Sequence, residues 1–257
     1  MDVTHAIILG IIQGLTEFLP VSSSGHLVIF QTLLGFKDPE LLFDCAVHIG
    51  TLSAVLIYFF RDIKKITSSL IRLNSDDPDF LLAINIIIGS VPTAIMGFIF
   101  MDFFERAFSS PLTAGIMLCI TGIFLAMTKF IPEKHNKNVG ILNSLIIGTA
   151  QGIAIIPGIS RSGATISCGL ACGLERRLAF SFSFLLSIPA ITGAFLLESI
   201  KIKQITNIAP LALGTISSAI VGILALKILT SMVKKGQLHY FSPYCILLGI
   251  ITIIMCL

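Results

Sequence analysis

Apolar residues in this chain run in long blocks. Six of these blocks are long enough to cross a bilayer core, which takes about 20 residues of helix: residues 41–60, 80–101, 112–131, 176–198, 208–230 and 240–257. Polar stretches separate them, Arg61 to Asp79 in one place and Pro132 to Asn138 in another. Two further apolar regions, 5–35 and 139–173, are interrupted in the middle. The first is broken by Gly14, Glu17, Pro20, Ser22, Ser23, Ser24, Gly25 and His26, the second by Gly152, Pro157, Gly158, Ser160, Arg161, Ser162 and Gly163. Each predicts two short helices joined by a polar turn. Non-helical backbone is tolerated at membrane depth only where protein buries it or it lines a wet cavity, so both regions are expected to be re-entrant hairpins. The expected fold class is an all-α polytopic membrane protein with six transmembrane helices plus two re-entrant helical hairpins.

The two broken regions match each other. Gln13-Gly14 recurs as Gln151-Gly152 and Ser22-Ser23-Ser24-Gly25 as Ser160-Arg161-Ser162-Gly163, both at an offset of 138 residues. Residues 41–60 follow at the same offset, and the next two spans repeat at 128, because the loop 61–79 is longer than 199–207. The chain therefore divides into two repeats, 1–131 and 139–257, forming one membrane domain. Each repeat holds one hairpin and three spans. Three is odd, so the second repeat enters from the opposite side, which predicts an inverted-topology pair whose hairpins meet near the midplane.

Composition agrees with a lipid solvent. Of 257 residues, 55% are hydrophobic and 12% charged, with a mean hydropathy of +0.97, against about 25% charged in a soluble domain. A single soluble globule, a disordered chain, collagen and a coiled coil are all excluded. The net charge of +3 gives no reason to expect a nucleic-acid partner. The basic residues are better read as loop anchors. Arg61, Lys64, Lys65, Arg72, Lys129, Lys134, Lys137, Arg176, Arg177, Lys227, Lys234 and Lys235 fall on one side, and Lys37, Arg106, Lys201 and Lys203 on the other. The richer side is expected to be cytoplasmic. Asp2 stands where a signal peptide would be basic, so the first helix is expected to be retained. With no Trp, an interfacial aromatic belt has to rest on Tyr58, Tyr240, Tyr244 and Phe. The six cysteines lack zinc-site spacing and read as small buried hydrophobes.

The candidate chemistry lies in the two hairpins. Gln13 and Glu17 are four apart and share a helix face, and a carboxylate inside a membrane protein normally faces a cavity. Ser22, Ser23, Ser24, Gly25 and His26 follow within a few residues; the bland alternative for the serines is helix capping. In the second hairpin Ser160, Arg161, Ser162, Gly163 and Thr165 follow Pro157-Gly158. Arg161 stays protonated and needs an anion when buried. Glu17 supplies part of that charge and a phosphate would supply more, since guanidinium forks suit phosphate oxygens and Ser/Gly turns before helices present free N–H groups. The aligned halves also differ: Glu17 stands against Ile155, His26 against Ala164 and Ser23 against Arg161. Nucleophile and proton handling would come from one hairpin and the anion clamp from the other, a division that suits phosphoryl transfer. Asp44 and His48, at i and i+4, are expected to be mainly structural, with flanking the pocket or binding a metal as the alternative. Glu105 and Glu198 are expected to be interfacial, and His5, His135 and His239 solvated or structural.

Gln13-Gly-Leu-Thr-Glu17-Phe-Leu-Pro-Val-Ser-Ser-Ser-Gly-His26 closely resembles the first signature of the bacterial undecaprenyl-diphosphate phosphatase family, also called bacitracin-resistance protein, and Pro157-Gly-Ile-Ser-Arg161-Ser-Gly-Ala-Thr165 resembles its second. Length and span order agree from end to end. The first signature admits Glu or Gln at the position of Gln13; Gln stands here, so a second carboxylate is missing at this place. The resemblance implies a multi-pass enzyme of the bacterial cytoplasmic (inner) membrane. Such an enzyme hydrolyses undecaprenyl diphosphate to undecaprenyl phosphate and inorganic phosphate, recycling the lipid carrier for cell-wall synthesis and lowering bacitracin sensitivity. Its partners would be the polyprenyl diphosphate substrate and membrane lipids; a homodimer is left open. It also implies a divalent metal cation, Mg or Ca, with Glu17 as a ligand. The implied catalytic positions are Glu17, Ser23, His26 and Arg161. Gln13, Ser22, Ser24, Gly25, Ser160, Ser162, Gly163 and Thr165 would line the substrate site. The nucleophile stays open between Ser23, His26 and a metal-activated water. The rival from another class is a lipid-phosphate transporter or flippase built on the same inverted repeat.

Overall fold

The computed structural model describes residues 1–36, 40–134, 136–201 and 208–257. Lys37, His135, Lys203 and most of the expected loop 199–207 lie outside them. Within the described residues the chain is helical, and the apolar blocks dictate where. The first broken region forms α1 (Val3–Phe18) and α2 (Ser23–Leu33), and the second forms α8 (Ile141–Ile153) and α9 (Arg161–Ala171). The long blocks become α3 (Leu41–Tyr58), α5 (Pro78–Ile99), α7 (Pro111–Met127), α10 (Arg176–Lys201), α11 (Ile208–Lys234) and α12 (Ser242–Met255), with 3-10 turns at Thr128–Phe130 and Leu238–Phe241. Five helices are long and apolar enough to cross a membrane, and α3 makes a sixth when taken together with the helix after it. Exposed apolar residues recur at helical spacing along the outer faces, Ile116, Ile120 and Ile123 on α7 and Ile216, Ile220, Leu224 and Ile228 on α11. Such stripes suit lipid, and the chain is a multi-pass membrane protein.

Two segments differ from the sequence reading. The stretch after Arg61, expected as a loop, is a helix, α4 (Phe60–Arg72), bent 77° from α3. Phe59 and Ile66 are buried and Ile63 and Leu70 pack against the core, while Arg61, Lys64 and Lys65 are exposed. Apolar residues at i, i+3 and i+4 spacing bury one face, so α4 is an amphipathic helix packed on the bundle at a sharp angle to α3. Charge marks both loops and amphipathic helices, and the periodicity distinguishes them. Likewise Met101–Phe108 forms a short helix, α6, with Phe104 and Ala107 buried. The corner between α4 and α5 is tied by Asp77, whose carboxylate accepts from the Ser69 hydroxyl at 2.7 Å and the Asp79 N–H at 2.9 Å. These donors, the Ser69 hydroxyl foremost, hold its carboxyl below the usual range.

The broken helices are clamped by close approaches. α1 packs on α11, α8 on α5, α3 on α11 and α7 on α12. At the first crossing a Cβ on Gly10 would meet the carbonyl of Gly214, and at the second a Cβ on Gly148 would meet that of Gly89. Backbones approach this closely in membranes through small residues, and hydroxyls hydrogen-bond across the seam. Thr93 donates to the Gly148 carbonyl at 2.9 Å, and Ser218 on α11 to the Val47 carbonyl at 2.9 Å. A cluster of Phe18, Phe59, Phe180 and Phe184 fills the core, with ring centroids 4.8 Å apart for Phe180 and Phe184 and 5.7 Å for Phe18 and Phe184. Because the Gly148 crossing has no room, Gly148→Val is expected to cost about 1–3 kcal/mol. That cost would be read as a lower thermal midpoint in detergent; an unchanged midpoint would contradict the tight α5–α8 seam.

Candidate active site

Local chemistry ends α1 and starts α2. Leu19 is extended, as a residue preceding proline is required to be, and Pro20 stops the helix. Ser22 takes a left-handed φ of 66° and caps α2. Its Oγ accepts from the Gly25 N–H at 3.3 Å and from the Gly158 N–H of the other turn at 3.0 Å. The α8–α9 turn is built in parallel. Ser160 caps α9, accepting from the Gly163 N–H at 3.1 Å. Thr121 on α7 accepts from the Ser160 N–H at 3.1 Å and donates to the Gly158 carbonyl at 2.8 Å. The turns abut: a Cβ on Gly25 would stand 3.0 Å from the Gly158 Cα, and Gly158 itself has a φ of +97°. Ser162 on α9 donates back to the Leu19 carbonyl at 3.4 Å.

Across this junction the charged residues meet. Ser23 donates to Glu17 Oε2 at 2.5 Å, and Gln13 Nε2 donates to the same oxygen at 3.1 Å. Arg161 Nη2 bonds Glu17 Oε1 at 2.6 Å, with the two side chains 15% and 6% exposed. Removing either partner would leave a buried charge unpaired, which is strongly destabilising. The guanidinium lies over the Phe184 ring, 5.4 Å from its centroid. Within this cluster two buried atoms have no hydrogen-bond partner, Arg161 Nη1 and Gln13 Oε1. His48 on α3 brings Nε2 to 3.6 Å from Glu17 Oε2, while its Nδ1 is 2.6 Å from the Asp44 carbonyl. Asp44 in turn accepts from Gln31 at 2.6 Å.

The structure thus gathers Gln13, Glu17, Ser23 and Arg161 into one cluster. Ser22, Gly25, Ser160, Ser162 and Gly163 build the junction beneath it, and the hydroxyls of Ser22 and Ser160 are occupied as helix caps. Ser24 Oγ lies 3.4 Å from Ser22 Oγ. Thr165 bonds the Arg161 carbonyl at 2.8 Å and Ser183 Oγ at 2.5 Å, in the seam between α9 and α10. His26 makes its hydrogen bonds elsewhere, to the Ser22 carbonyl and the Tyr244 hydroxyl, each at 2.7 Å. Two neighbours were undervalued from sequence. His48 carried a signal, its i, i+4 pairing with Asp44, but nothing in its own segment pointed to Glu17. Tyr244, expected in an interfacial belt, lies 218 positions from His26 and no local pattern joins them.

The cluster places a hydroxyl on a carboxylate, the arrangement of a nucleophile with its base, beside a guanidinium with one nitrogen free to bind an anion. The N-termini of α2 and α9 add their positive dipole ends. Residues 6–251 match the family described as bacitracin resistance protein BacA. The chain belongs to that family. Among its relatives, a protein of Desulforapulum autotrophicum named undecaprenyl-diphosphatase is 46% identical, covering 99% of this chain and 98% of that protein. Proteins of the same name from Halothermothrix orenii and Korarchaeum cryptofilum are 44% and 42% identical, over 99% and 97% of this chain and 98% of each relative. In this member of the family the two signature turns are one physical unit, joined through Ser22 Oγ and Gly158 N–H. Ser22→Ala would orphan two buried N–H groups, at about 1–3 kcal/mol for an unsatisfied buried donor. Thermal unfolding in detergent should therefore show Ser22→Ala well below wild type and Ser23→Ala close to it; equal losses would contradict the division of labour between the two serines.

Proposed function

We propose that this protein hydrolyses undecaprenyl diphosphate to undecaprenyl phosphate and inorganic phosphate, with Ser23 as nucleophile. The observation that carries the reading is the Ser23 hydroxyl donating to Glu17 Oε2 at 2.5 Å, with Arg161 on the other carboxylate oxygen at 2.6 Å. The name shared by the relatives supplies the substrate. Ser23 passes its proton to Glu17 as Oγ attacks the terminal phosphorus, the anhydride P–O bond breaks, and undecaprenyl phosphate leaves with that proton from Glu17. Water then attacks the phosphoserine; Glu17, a carboxylate again, accepts a proton from it and hands that proton to Ser23 Oγ as the P–Oγ bond breaks and inorganic phosphate leaves. Arg161 meets the phosphate oxygens first with its free Nη1 and stabilises the charge that develops between attacking and leaving oxygens. His26, three residues after Ser23 on α2, stands in the N-terminal turn of the helix that carries the nucleophile, where its ring supplies proton capacity. Its ring nitrogens are engaged by Ser22 and Tyr244, which favours Ser23 over His26 as the attacking group.

A divalent cation, Mg or Ca, belongs to this reading. Glu17 and Arg161 neutralise each other, so a diphosphate brings charge that the two cannot offset. Gln13 Oε1 is a buried oxygen without a partner, beside the Glu17 carboxylate. Mg is commonly held by one or two carboxylates together with substrate phosphates. No group of three His, Cys, Asp or Glu suited to a metal occurs among the described residues, which fits Glu17 and Gln13 holding the ion jointly with substrate. When bound, it would neutralise charge on the phosphates.

The two hairpins are read as re-entrant and the repeats 1–131 and 139–257 as inverted. This is supported by the reciprocal packing, α1 of the first on α11 of the second and α8 of the second on α5 of the first. The membrane is the bacterial inner membrane, with the lysine- and arginine-rich side cytoplasmic. All site residues come from one chain, so a homodimer is allowed but not needed for chemistry. Recycling the carrier serves cell-wall synthesis, and consuming its diphosphate form lowers bacitracin sensitivity.

Phosphate release from undecaprenyl diphosphate in detergent tests the reading, because a transporter needs two membrane sides and an enzyme does not. Wild type should release phosphate, with Ser23→Ala and Glu17→Ala reduced by at least about 10³-fold and Arg161→Lys by about 10²-fold. A trapped phosphoenzyme should carry its label on Ser23; a label on His26, or full activity in Ser23→Ala, would refute the assignment. Chelation should abolish turnover and added Mg or Ca restore it, with Gln13→Ala requiring more cation. Activity indifferent to chelator would remove the ion from the reading.

A further inference from the structure

We infer that Tyr244 is a positioning residue for His26, fixing its ring plane and the direction of its Nε2 from α12, the helix whose Cys245 also bonds the Pro20 carbonyl of the α1–α2 turn at 3.6 Å. The inference rests on the proposed phosphatase reading. The Ser22 carbonyl has no hydrogen to give, so His26 Nδ1 donates to it at 2.7 Å. The neutral ring then presents a lone pair at Nε2, and the Tyr244 hydroxyl, 2.7 Å away, donates to it. The ring plane is set from two sides, by Phe30 at 6.4 Å and 11° and by Tyr244 at 5.8 Å and 7°. His26 is 2% exposed whereas Tyr244 is 48% exposed. A tyrosine on an exposed face has water or lipid headgroups for partners, yet this one spends its hydroxyl on a buried ring nitrogen. α12 packs on α7, and α2 packs on the same helix, so Tyr244 reaches the site past α7. With Nδ1 committed to the backbone of its own helix, Nε2 is the nitrogen of His26 left to take up a proton. The Ser22 carbonyl sets the tautomer, and Tyr244 sets the direction in which Nε2 points.

A double-mutant cycle on phosphate release in detergent tests this, using Tyr244→Phe, which keeps the ring and removes only the hydroxyl, with His26→Gln and the pair. A residue acting through His26 predicts that Tyr244→Phe lowers kcat about tenfold with KM within about twofold, and that the double variant is no slower than His26→Gln alone. Nitrogen-15 NMR of histidine-labelled protein gives a second readout: His26 should be the Nδ1–H tautomer, and its Nε2 resonance should shift in Tyr244→Phe as the hydrogen bond to that nitrogen is lost. Wild-type kcat in Tyr244→Phe, multiplicative losses in the double variant, or an unchanged Nε2 resonance would each overturn the inference. Ser23→Ala in the same assay keeps the two readings apart. Release surviving in Ser23→Ala sinks the phosphatase mechanism and leaves the Nε2 resonance to judge Tyr244; release lost in Ser23→Ala with an additive cycle sinks the Tyr244 role alone.

Discussion

The buried ion pair between Glu17 and Arg161 constrains everything around it. Two opposite charges, each nearly shut off from the outside, are held 2.6 Å apart across two turns 144 positions apart in sequence. Either charge alone would be prohibitively costly in an apolar bundle, so each broken helix requires the other. The pair also arranges the remaining groups. Arg161 takes one carboxylate oxygen, which leaves the second to Ser23 and Gln13, and the Phe184 ring beneath the guanidinium limits where it can turn.

Holding that pair is a backbone problem before it is a side-chain one. A turn inside an apolar layer exposes N–H and C=O groups that lipid cannot satisfy. Here the turns are satisfied by each other and by α7: Ser22 accepts from the Gly158 N–H, and Thr121 accepts from the Ser160 N–H and donates its hydroxyl to the Gly158 carbonyl. Gly25 and Gly158 bring the turns together, and the glycine crossings of α1 with α11 and α8 with α5 fix the helices that carry them. Serine, glycine and threonine in these signatures thus have two duties, and the capping serines leave Ser23 as the hydroxyl turned to the carboxylate.

How much of this could be read from the sequence depends on the range of each interaction. The long apolar blocks gave the spanning helices because lipid exposure acts on every residue of a segment. Glu17 and Arg161 stood out because a charge in such a block demands a partner, and only one of each lay in the broken regions. The helix α4 was missed because its charges were counted and its spacing was not. The contact of His48 with Glu17 and the bond of Tyr244 to His26 depend on how α3 and α12 rotate against their neighbours, which packing decides over the whole bundle. His26 was grouped with Ser23 by proximity in sequence, whereas side-chain direction gave it different partners.

The bend between α3 and α4 has a geometric consequence. α4 lays its cations outward and its apolar face on the bundle. His48 lies eleven residues before the hinge at Phe59 on α3, about 16 Å along a helix rising 1.5 Å per residue. One unbroken helix therefore spaces the carboxylate beside His48 from the bend, like a rod of fixed length.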